Sequence, residues 1–289
     1  MKIAITAETT IDIQEDLLEE FEIDTIAYTI LFGDVLKKDG TFKPQEIFDF
    51  TDKTGTLAKT SAVNADEFYD FFLEKEKEGY DAIIHFSLSG EMSSTYANAA
   101  RAGTRLMKTD PIKVYVIDSR VLSSGIALLA IYARKLARKG LDPEKIVEKV
   151  KERIPYDQTS FALESVKYLY KGGRCSSIAM LASSALRIRP QIIVKDGKMT
   201  GGRKFMGKME KWALDYVNYT LNEFNNPDLD TIFITYSSAE PEVVAKIHKI
   251  LKDRGFKNIY ETYANATVSC HCGPHCLGIL YLNDGPHEV

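Results

Sequence analysis

The chain has 289 residues, 45% hydrophobic and 27% charged, with 37 Lys and Arg against 41 Asp and Glu for a net charge of −4. These are globular proportions, which excludes a disordered chain, and the acidic balance excludes nucleic acid as an obligatory partner. Four cysteines are too few for a disulfide framework, and no apolar run reaches membrane-spanning length. The opening MKIAITAETT turns polar too early for a signal peptide, so the expectation is a cytoplasmic protein with no stable membrane insertion.

Residues 2–6 form an apolar run read as a first strand, closing in the polar turn Ala7-Glu8-Thr9-Thr10. A helix is expected over 14–21. Residues 25–32 alternate with β-branched and aromatic types, which predicts one strand. Pro44 sits where a first helical turn begins, ahead of a helix over 46–52. Lys59-Thr60-Ser61 reads as a polar turn and Asn64 as the N-cap of a helix over 65–77. Residues 82–86 give a strand that empties into a Ser/Gly loop, and a helix opens around Ser94 to Tyr96. A strand over 114–117 ends in Asp118-Ser119, and a long helix over 122–138 is closed by Gly140. A short helix over 143–154 then leads to a linker, Pro155-Tyr156-Asp157.

Strands alternating with helices at this spacing predict an N-terminal α/β domain over residues 1–157, a mostly parallel sheet with helices on both faces. Ligand groups in such sheets gather beyond the carboxyl ends of the strands. Glu8-Thr9-Thr10, Thr60-Ser61, residues 87–95 and Asp118-Ser119 all fall at such ends. The loop 87–95 is the most telling. A helix N-terminus offers unpaired N–H groups and a partial positive charge, a natural anion seat. This loop has no lysine or arginine, unlike a phosphate loop, and it carries Glu91. That chemistry suits a singly charged carboxylate better than a polyphosphate. The same residues also fit an ordinary strand-to-helix turn capped by Ser and Thr.

The remainder, residues 158–289, predicts a second, mixed α/β (α+β) domain. It holds a strand over 159–163, a helix over 166–170 stopped by Gly172-Gly173, and a hairpin of 191–194 with 198–201 around Lys195-Asp196-Gly197. An amphipathic helix over 209–224, a strand over 231–236, a helix over 241–254 and strands over 258–263 and 278–282 complete it.

Three chemical readings compete. Ser93 as nucleophile with His271 as base would make an esterase or thioesterase, but no G-x-S-x-G elbow is present. Glu8 and Asp118 could hold Mg²⁺ for phosphoryl transfer, but no phosphate-cradling lysine accompanies them. The run Cys270-His271-Cys272-Gly273-Pro274-His275-Cys276 carries zinc-type ligands and suggests a zinc-binding regulator. It lacks paired C-x-x-C spacing and, read as a strand, would send adjacent side chains to opposite faces, so buried thiols without metal are the expectation. Cys175 stands apart from that run.

Taken in order, the motifs resemble the DegV family of bacterial fatty-acid-binding proteins, which includes the fatty acid kinase B subunits. ITAETTID at 5–12 is similar to the family's V-T-D-S-T-A-D, and Lys59-Thr60-Ser61 resembles the start of K-T-S-Q-P. LSGEMSSTY at 88–96 resembles S-S-x-L-S-G-T-Y, and Asp118-Ser119 with Ser124-Gly125 resembles the D-S … S-x-G-x-G segment. Gly172-Gly173-Arg174 resembles G-G-R-I-S, Arg189-Pro190 resembles I-K-P, and HCGPHCLG at 271–278 resembles H-T-G-P-G-A-x-G. The chain departs from the pattern at Glu8, one methylene longer than the family acid, and at Thr9, Ala62-Val63, Ser94, Ala127 and His275.

The resemblance implies a DegV-like fold with an acyl chain enclosed in a tunnel between two domains. It implies a protein that carries the acid and is not an enzyme, with no cofactor beyond the bound fatty acid. Thr60 and Ser93 match the carboxylate hydroxyls, with the Ser94 N–H as a further donor, Ser61 beside them and His271 near the head group. Arg174 and Arg203 match positions facing the acyl phosphate or the partner, with Lys204 a lesser alternative to Arg203. That partner is a separate fatty acid kinase subunit, which phosphorylates the presented carboxylate with ATP.

Overall fold

A computed structural model describes residues 1–175 and 188–287. Strands β1 (Ile3–Glu8) and β6 (Ala82–Ser87) are buried at every position, as parallel strands covered on both faces must be. They pair in parallel with each other, and β2 (Ile23–Ile26) and β7 (Lys113–Asp118) extend the sheet in the order β2-β1-β6-β7. Helices Ala65–Lys77 and Thr95–Leu106 cover one face, where Phe68, Phe72, Ala102 and Leu106 cluster with Ala4, Ile83 and Val114. Helix Ser124–Arg138 covers the other, with Ile126, Leu129 and Ala133 beside Ile5, Ile84 and Phe86.

A second sheet is mixed and six-stranded, in the order β10-β9-β8-β13-β11-β12. Its members are β8 (Asp157–Leu163), β9 (Ile188–Lys195), β10 (Lys198–Met206), β11 (Thr231–Tyr236), β12 (Asn258–Tyr263) and β13 (Cys276–Leu282). Helices Met209–Glu223 and Pro241–Arg254 pack on it through Trp212, Tyr216, Val217, Ile247 and Leu251. The mixed α/β architecture is the expected one.

Helix Ser124–Arg138 lies between the two sheets, touching β1 and β6 on one side and β8, β11 and β13 on the other. Its apolar residues run almost all the way round, the signature of a helix with no solvent face. Approach to β8 is so close that a Cβ on Gly125 would collide with the Thr159 hydroxyl. Among the described residues, no helix is long and apolar enough to cross a membrane.

Four local expectations are corrected. Residues 25–32 are not one strand. The chain turns at Ala27-Tyr28, and β3 (Thr29–Phe32) joins β4 (Val35–Lys38) and β5 (Lys59–Ser61) in a separate antiparallel sheet, in the order β4-β3-β5. Lys59-Thr60-Ser61 is therefore strand and not turn, with Thr60 paired to Ile30, because a tertiary ladder overrides polar composition. Residues 270–272 are not strand either. They end the helix Ala266–Cys272, and only Cys276 begins β13. The expected linker also stops one residue early, since Asp157 opens β8.

Candidate functional site

The chain leaves β1 for β2 on one side and returns to the sheet at β6 on the other, so the ends of β1 and β6 flank a topological switch point. A cavity of about 650 Å³ lies there. Thr10 and residues 88 and 90–94 line it from this sheet, and Thr60 and Ser61 from β5. Phe161, Leu169, Arg174 and Met199 line it from the second half, together with Thr267, Val268, His271 and Cys272 of helix Ala266–Cys272.

Two pairs of polar side chains stand in this lining, and Arg174 acts electrostatically on a member of each, Tyr28 and His271. Thr60 Oγ1 lies 3.1 Å from His271 Nε2. His271 Nδ1 is buried and has no hydrogen-bond partner among the described residues. Burial, with Arg174 beside it, pushes the imidazole down to about 4, so it is neutral at pH 7. Ser93 Oγ lies 3.0 Å from the Tyr28 hydroxyl and accepts the Thr95 N–H at 3.3 Å. Burial and the Glu8 carboxylate raise the Tyr28 phenol well above its ordinary range. Ser61 and Ser94 also face the cavity, and Ser94 is the N-cap residue of helix Thr95–Leu106. Arg174 is exposed at its edge, Nη1 donating to Gly172 O at 2.5 Å.

Leu88, Met92, Leu122, Phe161, Leu169, Met199 and Val268 supply an apolar lining, with Thr10, Glu91 and Thr267 as further polar members. A second space of about 30 Å³ shares Leu122, Phe161, Val268 and Cys272 with the first and runs on to Cys276, Gly278 and Leu280. An amphiphile with a small polar head and a long apolar tail matches this distribution.

His271 reaches the cavity because its helix is held at the N-terminus by the first half of the chain. Asp39 accepts from Ala266 N at 2.9 Å, Thr267 N at 3.0 Å and Thr267 Oγ1 at 2.5 Å. Asp12 accepts from Asn265 N at 2.8 Å and from Ser123 Oγ at 2.6 Å. Asn265 Nδ2 in turn donates to Thr9 O at 2.8 Å. These bonds satisfy helix-end donors that would otherwise be orphaned in the interior.

Of the residues singled out from sequence, Thr60, Ser61, Ser93, Ser94, Arg174 and His271 all line the one cavity. Arg203 does not. It is exposed on β10 with its guanidinium 4.6 Å over the Tyr219 ring, and Lys204 beside it is exposed too. Tyr28 was not foreseen, because it sits at the break inside what reads as a continuous strand. Leu169, Met199 and Val268 carry no local signal either; only the packing of distant segments brings them to the cavity.

The competing chemistries find little geometric support. Glu8 is fully buried and accepts from Ser87 Oγ at 2.6 Å, Leu88 N at 3.0 Å, Thr95 Oγ1 at 3.0 Å and His85 Nε2 at 3.2 Å. Asp118 Oδ1 accepts from Gly90 N at 3.1 Å and Arg120 N at 3.0 Å. Both carboxylates are thus spent on holding loops. Ser93 bonds to Tyr28 and Thr95, while the His271 ring meets Thr60, so Ser93 and His271 are each engaged elsewhere and not with one another. Cys270, Cys272 and Cys276 are buried. Burial and Asp39 raise the Cys270 thiol, and burial and the neighbouring Cys272 raise that of Cys276. Among the described residues, no group of three His, Cys, Asp or Glu side chains stands close enough to hold a metal.

A family model described as "Uncharacterised protein, DegV family" matches residues 2–284. A DegV domain-containing protein of Caldanaerobacter subterraneus subsp. tengcongensis is 28% identical over 282 residues, covering 97% of this chain and 98% of that protein. A protein of Thermotoga maritima named as a fatty acid-binding protein is 26% identical over 285 residues, 96% of each chain. Among solved structures, a DegV lipid binding protein of Thermotoga maritima superposes with a TM-score of 0.83 at 26% identity, covering 98% of both chains. A DegV family protein from Thermus thermophilus shares the fold with a TM-score of 0.88 at 19% identity, covering 98% of this chain and 100% of that one.

Proposed function

Since the chain belongs to the DegV family, we propose that it binds a long-chain fatty acid and presents the carboxylate to a separate ATP-dependent kinase subunit, without catalysing a reaction itself. The observation that carries this reading is that two hydroxyl–ring pairs share one cavity with a set of large apolar side chains. The hydroxyls of Thr60, Ser61 and Ser93, the Ser94 N–H and the His271 ring take the carboxylate, and the apolar lining takes the chain. The acid is enclosed between an N-terminal domain, residues 1–157, and a C-terminal domain, residues 158–289. Arg174 at the edge of the cavity, and Arg203 outside it, are the cations for an acyl phosphate or for the partner's surface.

Magnitudes favour this division of labour. Each buried methylene is worth ~0.8 kcal/mol, so about a dozen contribute about 10 kcal/mol gross. Taking a carboxylate out of water costs several kcal/mol, which two or three charge-assisted bonds of roughly 1.5–3 kcal/mol each can offset. The tail sets affinity and the head sets orientation. A neutral His271 that donates from Nε2 to Thr60 leaves the Thr60 hydrogen free for the ligand.

Protein purified natively from a bacterial host is expected to release a fatty acid on organic extraction, identified by mass spectrometry. An empty extract, combined with no binding of added long-chain acids, overturns the reading. With ATP, Mg²⁺ and a kinase subunit added, acyl phosphate should appear only when both proteins are present. Its formation by this chain alone would overturn the non-catalytic role.

A further inference from the structure

A serine hydroxyl has one hydrogen to give and two lone pairs to receive with. Ser93 Oγ spends one lone pair on the Thr95 N–H at 3.3 Å, and the Tyr28 hydroxyl stands 3.0 Å away. An ionised carboxylate is an acceptor only, so any bond from Ser93 to it consumes the Ser93 hydrogen. The contact with Tyr28 then survives as a hydrogen bond only if the phenol donates. We propose that Tyr28 is a positioning residue that turns the Ser93 hydrogen into the cavity and thereby favours an anionic head group over an alcohol. This deepens the fatty-acid reading above and rests on it.

Several features equip Tyr28 for this. It is 2% exposed, and its backbone is pinned at both ends: its N–H donates to Thr9 Oγ1 at 3.4 Å and its carbonyl accepts from Asp39 N at 2.9 Å. Burial and the nearby charge of Glu8 keep the phenol protonated. Glu8 already accepts from Ser87, Leu88, Thr95 and His85, and the Thr95 hydroxyl gives its hydrogen to Glu8. The Thr95 oxygen also borders the phenol, but Ser93 Oγ, at 3.0 Å, is the partner at hydrogen-bond distance and takes the phenol hydrogen. The arrangement parallels His271 beside Thr60, so the Thr60 and Ser93 hydroxyls each stand against a ring that can donate. A fatty alcohol can donate its own hydrogen to Ser93 and has no need of that orientation.

The test compares a long-chain acid with the alcohol of equal length on wild type, Tyr28→Phe, Ser93→Ala and the double variant, by competitive displacement of a fluorescent acyl probe. Tyr28→Phe keeps the ring in the core, so its melting temperature should stay near that of wild type. Acid affinity is expected to fall about tenfold while alcohol affinity changes less than about twofold, as for loss of one net hydrogen bond. In the Ser93→Ala background, Tyr28→Phe should add nothing. Unchanged acid affinity in Tyr28→Phe, or equal losses for acid and alcohol, overturns the inference alone. A wild-type chain that binds neither ligand overturns the fatty-acid reading and this inference with it.

Discussion

A side chain at Gly172 would place its first carbon 2.5 Å from Nδ1 of His271. Helix Lys167–Gly172 therefore meets helix Ala266–Cys272 at a point where no Cβ fits. The missing methyl lets the imidazole stand upright against the backbone and reach Thr60. Gly172→Ala should favour its own helix by about 1 kcal/mol and yet push the His271 ring away from Thr60. Melting temperature near or above wild type, with acyl affinity lower by about tenfold, is the expected pair of results. Unaltered affinity in an acyl-probe titration would show that the Thr60–His271 contact is not part of the head-group site.

The same histidine makes stability depend on pH in a definite direction. In the unfolded chain it takes up a proton near 6.5; in the fold, burial and Arg174 hold it down to about 4. Between those values the unfolded state binds the extra proton, so stability falls as pH drops from 6.5 toward 4. A His271→Asn variant has no such proton to bind. Urea midpoints at pH 7 and pH 4.5 should show wild type losing ground relative to the variant. An unchanged difference would mean that the ring is solvated and titrates normally.

How much of this was legible in the sequence follows from how local each determinant is. The helix over 65–77 starts where Asn64 says it should, and the structure shows the reason: Asn64 accepts from the N–H groups of Asp66 and Glu67, and Glu67 bonds back to Asn64 N. Strands 231–236 and 258–263 match residue for residue, since continuous apolar or alternating runs bounded by turns leave little freedom. The helix 266–272 was illegible because its donors are met by Asp39 and Asp12, more than two hundred residues earlier in the chain. Thr60 and Ser93 could be picked from motif resemblance. Tyr28 could not, because only the split between β2 and β3 turns it toward Ser93.

Asp39 offers a direct test of that long-range anchor. It is 2% exposed and receives Ala266 N, Thr267 N and the hydroxyls of Thr267 and Thr9. Asp39→Ala leaves several buried donors without acceptors, each costing roughly 1–3 kcal/mol before relaxation. A loss of about 3 kcal/mol in urea-unfolding stability is expected. Acyl affinity should fall as well, because His271 rides on the freed helix. Stability lost without any change in affinity would show that the helix keeps its place by packing alone.

Asp157 opens β8 with one carboxyl oxygen accepting from Thr159 Oγ1 at 2.8 Å and the other buried without a partner among the described residues. Burial pushes it up to about 8 even though Arg153 pulls the other way. The unfolded chain gives up this proton near pH 4, whereas the fold keeps it until about 8. The stability that comes from staying neutral is complete below pH 4 and is lost as the pH climbs through 8. Asp157→Asn imitates the neutral form permanently. Its advantage over wild type should be small at pH 4.5 and grow to the order of a few kcal/mol by pH 8.5, read from urea midpoints. An advantage that does not grow with pH would show that Arg153 holds Asp157 ionised inside the fold.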